Sequence, residues 1–116
     1  MTALWTMPRH RAFLSMVIAA ALIAPPSMAQ QPSVQRQQEL VRLVRQDCGA
    51  CHGLRLTGGL GPALTPAALA SRSVPALAAT IIHGRRGTPM PGWQSMLREG
   101  EADWIAAWLK EGFPEQ

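Results

Sequence analysis

Residues 48–52 read Cys-Gly-Ala-Cys-His and hold both cysteines of a 116-residue chain. No other feature constrains this chain so tightly. Two cysteines three positions apart close too short a loop for a disulfide to hold a domain together, so the spacing asks for another use. A thioredoxin-type redox pair needs Cys-x-x-Cys at a helix start within a strand-containing fold; here a helical pattern precedes the pair and no strand-like alternation appears. A zinc site would take Cys48, Cys51 and His52, but it lacks a convincing fourth ligand, and the adjacent Cys51 and His52 would strain a tetrahedral shell. Covalent haem attachment fits best, because Cys-x-x-Cys-His is the signature of c-type haem. At helical spacing Cys48 and Cys51 each reach one vinyl group of the same porphyrin, and His52 projects beneath it as the proximal iron ligand.

The start of the chain agrees with an oxidising compartment. Arg9 and Arg11 precede an apolar stretch from Ala12 to Ala24, followed by Pro25, Pro26 and the small-residue triplet Ser27-Met28-Ala29. This layout predicts a secretory signal peptide over residues 1–29, cleaved after Ala29, and a periplasmic mature protein. The competing reading is an uncleaved anchor, but about 13 apolar residues fall short of the roughly 20 that span a bilayer, so no stable membrane anchor is expected. Cleavage leaves about 87 residues, one small domain that benefits from a group to pack around. The formal charge of +4 includes Arg9 and Arg11; without them nine basic residues face seven acidic ones, a net +2. No basic stripe interleaved with aromatics appears, which argues against nucleic-acid binding.

The mature chain reads as all-α. Residues 30–36 are polar, without apolar period, and read as a flexible lead-in to a domain over 37–116. From Gln37 to Gln46, Leu40, Val41, Leu43 and Val44 fall on one face of an amphipathic helix that runs into the cysteine motif. Four glycines and Pro62 make residues 53–65 a loop. Short helices are predicted from Thr65-Pro66 and from Ser73-Val74-Pro75, the second stopping at Gly84. Residues 84–93 form a second breaker-rich loop. The last helix spans Ala102 to Lys110, with Trp104 and Trp108 expected in the core.

A second iron ligand is sought among the methionines left after cleavage, Met90 and Met96. Met90 lies in Gly87-Thr88-Pro89-Met90-Pro91-Gly92-Trp93, stiffened by prolines and poorly placed for ordinary core packing. Met96 reads as a core gap-filler. Met90 is the favoured distal ligand, with His83 as its competitor and an open sixth position as the third alternative. Trp93 reads as a wall of the haem crevice, with a hydrogen bond to a propionate as the other reading. Arg85 and Arg86 read as a solvated loop, as a hold on a haem propionate or as a surface for an acidic partner.

Taken together, Cys48 to His52, the Gly61-Pro62 turn, the Met90 loop and the terminal tryptophan helix resemble class I cytochromes c over about residues 36–111. The resemblance implies a class I fold of three to five short helices around one haem c, an electron carrier rather than an enzyme, and a monomer. It also implies that the Pro62 carbonyl accepts the other ring N–H of His52, and that Leu40 and Val44 meet Trp104, Trp108 and Leu109 where the first and last helices cross. The family often caps its last helix with Ser or Thr, whereas Arg98, Glu99 and Gly100 stand here. More narrowly, residues 47–53, 58–66 and 87–93 are similar to the cytochrome c-55X group of denitrifying bacteria. Its members are associated with cytochrome cd-type nitrite reductase, as electron donors or in completing its d-type haem. A redox protein partner of that kind, and an alternative role in maturation, are therefore what the resemblance implies.

Overall fold

The computed structural model describes residues 31–115; the expected signal peptide and its cleavage point after Ala29 lie outside the described residues. Helix α1, Val34–Leu43, is capped by Ser33, whose Oγ accepts from the Arg36 N–H at 3.3 Å. Such a cap stabilises a helix by about 1 kcal/mol. The helix thus begins three residues before the predicted Gln37, and the stretch expected to be a flexible lead-in is helical from Val34. Apolar period misses this first turn because Val34 is 73% exposed and the next three residues are polar.

At Val44 the ladder widens into a π-helical turn, Val44–Cys48, before helix α2, Gly49–His52. A π turn inserts one extra residue into a helix, a change too small for hydrophobic periodicity to register. Helices α3, Pro66–Leu69, and α4, Val74–His83, start as predicted. Thr65 and Ser73 cap them, accepting from Ala68 and Ala76 N–H at 3.3 Å each, and a proline follows each cap at the start of the helix. Helix α5, Glu101–Glu111, begins after Gly100 at φ +78°, a left-handed cap in place of Ser or Thr. Glu101 and Asp103 sit in its first turn and Lys110 in its last, as the helix dipole favours. The chain is all-α, with no strand among the described residues, and no helix in that range is long and apolar enough to cross a membrane.

The core joins the two ends of the domain. Leu40 and Val44 form one buried cluster with Leu56, Leu69, Ile105 and Leu109, and Trp104 and Phe113 pack at its border. Ile105 takes the interior place expected of Trp108, which is 38% exposed. Trp108 instead lies against Trp104, ring centroids 5.9 Å apart. A second cluster of Ala78, Ala102 and Ala106 lets α4 and α5 approach closely, since small side chains at a contact shorten the interaxial distance. Leu97 packs on both clusters. Met96, expected inside, is 51% exposed, because the turn before α5 directs its neighbour Leu97 inward.

Polar contacts fasten the same elements. The Arg36 guanidinium makes two 2.8 Å hydrogen bonds to Glu101, and the Glu101 carboxylate accepts a third from the Arg98 N–H at 2.9 Å. Arg45 holds the tail after α5, donating to the Phe113 carbonyl at 3.0 Å and the Pro114 carbonyl at 2.7 Å. Lys110 donates to the carbonyls of Leu69, Ala70 and Arg72 at the end of α3.

Candidate haem-binding site

Cys48 closes the π turn and Cys51 and His52 lie on α2, so one continuous helical path carries the whole motif. The two thiols are free and differ in surroundings: Cys48 is half-buried against the core, Cys51 is exposed. Burial and, less strongly, the Asp47 carboxylate push the Cys48 thiol up to about 11, so it stays protonated at neutral pH.

His52 is buried, and its Nδ1 lies 2.6 Å from the Pro62 carbonyl oxygen. A carbonyl can only accept, so Nδ1 carries the proton and Nε2 keeps its lone pair for a metal. The Pro62 contact implied by the resemblance is therefore present. The loop after the motif folds back to make it: the Gly58 N–H donates to His52 O and the Gly61 N–H to Cys51 O, both at 2.8 Å. Gly61 is held flat against the ring, where an added Cβ would sit 2.8 Å from Cε1 and 2.9 Å from Nδ1 of His52.

Met90 is half-buried in the second loop, which is fastened to the end of α4. The Arg85 N–H donates to Met90 O at 3.2 Å, and the Trp93 N–H to Ile81 O at 2.9 Å. Gly84, at φ +69°, passes so near that an added Cβ would lie 2.6 Å from Met90 O. Trp93 is half-buried, whereas Arg85, Arg86 and the competing ligand His83 are exposed. These donors suit a haem c: two thiols on one helical path, an imidazole whose second nitrogen is already committed, and a thioether on a tied loop. Thr88, which sequence reasoning passed over, bonds within the Met90 loop through its hydroxyl, and its only sequence signal is a hydroxyl residue before Pro89.

An all-α domain whose cysteine helix ends in a carbonyl-oriented histidine is that of a c-type cytochrome, and the family model described as cytochrome c oxidase, cbb3-type, subunit III matches residues 35–109. Cytochrome c55X of Stutzerimonas stutzeri is 47% identical over 111 residues, covering 95% of this chain and 98% of that protein. Cytochrome c55X of Paracoccus denitrificans is 51% identical over 94 residues, covering 81% of this chain and 91% of its own length. The solved structure of the c-type cytochrome NirC superposes with a TM-score of 0.67 at 52% identity, over 69% of this chain and 94% of that one. The chain belongs to the cytochrome c55X family. It is also similar to a portion of the much larger dihydro-heme d1 dehydrogenase of Pseudomonas aeruginosa, 44% identical over 75 residues, which are 64% of this chain and 15% of that protein.

Proposed function

We propose that this c-type electron carrier works in the periplasm with one haem c. Cys48 and Cys51 would form the thioethers to the haem, and His52 and Met90 would hold its iron. Haem c supplies one-electron exchange between ferric and ferrous iron. The observation that carries the reading is the His52 Nδ1 to Pro62 contact, which orients the imidazole and leaves Nε2 as the ligating atom. The half-buried Met90 on its fastened loop is the second donor, and a thioether there favours the reduced state relative to a second imidazole. With His52 and Met90 both committed to the iron, a substrate would find no place on it, which suits a carrier of electrons rather than a catalyst.

The Met90→Ala holoprotein is expected to lose the sulfur-to-iron signature in magnetic circular dichroism, to show a lower reduction potential and to bind carbon monoxide. A variant that keeps the parent spectrum and refuses carbon monoxide would return the distal position to His83.

The partner we infer is a redox protein of denitrification, a cytochrome cd-type nitrite reductase in the first place. The support is the likeness to the cytochromes c55X and to a dehydrogenase named for dihydro-heme d1. Arg85 and Arg86, both exposed beside the Met90 loop, offer charge to an acidic surface. Replacing both by Gln is expected to slow reduction of the partner about tenfold at low ionic strength and to flatten its salt dependence. Stopped-flow rates that match the parent at every salt concentration would remove these arginines from docking. The dehydrogenase likeness also favours a second reading, an accessory role in completing the d-type haem. A deletion strain separates the two. Reductase with its full cofactor but without electrons supports the carrier; reductase lacking its d-type haem supports maturation.

A further inference from the structure

We propose that Thr88 is a positioning residue for the distal ligand, an inference that rests on Met90 being that ligand. Thr88 is exposed, so burial gives its side chain no duty. Its hydroxyl has two partners, both inside the Met90 loop. It donates to the Arg85 carbonyl at 2.6 Å and accepts from the Met90 N–H at 3.3 Å. The backbone supplies two more ties, from the Thr88 N–H to Arg85 O at 3.1 Å and from the Arg85 N–H to Met90 O at 3.2 Å. Both main-chain polar groups of Met90 are therefore held, the carbonyl by Arg85 and the N–H by Thr88.

The flanking residues explain why a side chain is needed. Pro89 and Pro91 have no N–H to donate, so this part of the loop cannot build an ordinary backbone ladder. A hydroxyl two residues before Met90 takes the place of a backbone acceptor, as Ser and Thr do in turns. Methionine is a flexible side chain with three rotatable bonds, so where its sulfur reaches depends on where its backbone is held. A neutral thioether binds iron only as well as the loop presents it, because apparent affinity falls with the fraction of loops in the competent state. Each hydrogen bond of ordinary net strength is worth roughly fivefold in such an equilibrium, so losing both bonds of the hydroxyl should open the loop about tenfold to thirtyfold more often.

The test uses the holoprotein with Thr88→Val, which keeps the shape and removes the hydroxyl, and Thr88→Ser, which keeps the hydroxyl. Imidazole is added to the ferric forms, and its binding rate is read with the sulfur-to-iron charge-transfer band. Thr88→Val is expected to bind imidazole about tenfold to thirtyfold faster and to lose the band at a lower temperature. Thr88→Ser should stay within about twofold of the parent, a rescue that no role of the methyl group would produce. Parent-like imidazole rates and band in Thr88→Val would overturn the proposal, provided Met90→Ala abolishes the band. If Met90→Ala also leaves band and rates unchanged, Met90 is not the ligand and the proposal falls with that assignment.

Discussion

Gly61→Ala is expected to yield little holoprotein, and what forms should show a weakened proximal bond and a shifted reduction potential. The new methyl carbon would sit 2.8 Å from Cε1 and 2.9 Å from Nδ1 of His52, closer than non-bonded carbons tolerate. Relief by moving the ring is costly because His52 is buried and its Nδ1 is tied to Pro62 O at 2.6 Å. Relief by moving the loop is no easier, since the Gly61 N–H is bonded to Cys51 O on the cysteine helix at 2.8 Å. Breaking that carbonyl bond releases the orientation of the imidazole, and loss of such an outer partner commonly weakens a metal site tenfold to a hundredfold. Haem content per polypeptide and the resonance Raman iron–histidine stretch of the ferrous protein measure the effect. Full haem loading with an unchanged stretch would mean that the packing of Gly61 on His52 does not orient the ligand.

Glu101→Ala is expected to destabilise the fold by about 2 to 4 kcal/mol at neutral pH, somewhat below the roughly 3 to 5 kcal/mol of a fully buried charge pair because the Arg36 side chain keeps 18% of its exposure. Glu101 is 3% exposed, and its carboxylate accepts from Arg36 Nε, Arg36 Nη2 and the Arg98 N–H. The bidentate pair joins α1 to the start of α5, two elements distant in sequence that share the core. Hydrogen bonding to Arg36 holds the Glu101 carboxyl below its usual range. A depressed folded value means that the stabilisation is present above the unfolded value of about 4.3 and is lost as pH falls through the folded one. The gap between parent and Glu101→Ala in urea unfolding, followed by far-UV circular dichroism, should therefore be widest near pH 7 and narrow progressively as pH falls below about 4. A gap that persists undiminished at pH 3 would assign the effect to packing and not to the ion pair.

How much of this was legible beforehand depended on how local the signal was. The helices at Pro66 and Val74 announce themselves through an early proline in a helical run and start where expected, and the structure adds that Thr65 and Ser73 cap them. Ser33 also caps its helix, but Val34 is exposed and three polar residues follow, so an apolar face becomes visible only from Gln37. Hydrophobicity alone places both Trp104 and Trp108 inside. On a helix with several large apolar residues, only the neighbours decide which go inside, and here Ile105 and Leu109 do while Trp108 stays 38% exposed.

The sequence by itself determined the chemistry: Cys48, Cys51 and His52 in one short motif, Met90 between two prolines, an all-α pattern, and a likeness to class I cytochromes c. Residue type and spacing suffice there, because the candidate donors come from near neighbours in the chain or from a single loop. Only the tertiary structure decided how those donors are held. The contact of Gly61 on the His52 ring, the Arg36 clamp on Glu101 and the two bonds of the Thr88 hydroxyl all depend on how the backbone turns to bring a donor to its acceptor. Linear spacing carries no such information when the partners lie 65 residues apart, as Arg36 and Glu101 do, or when a turn sets which of several carbonyls a hydroxyl meets.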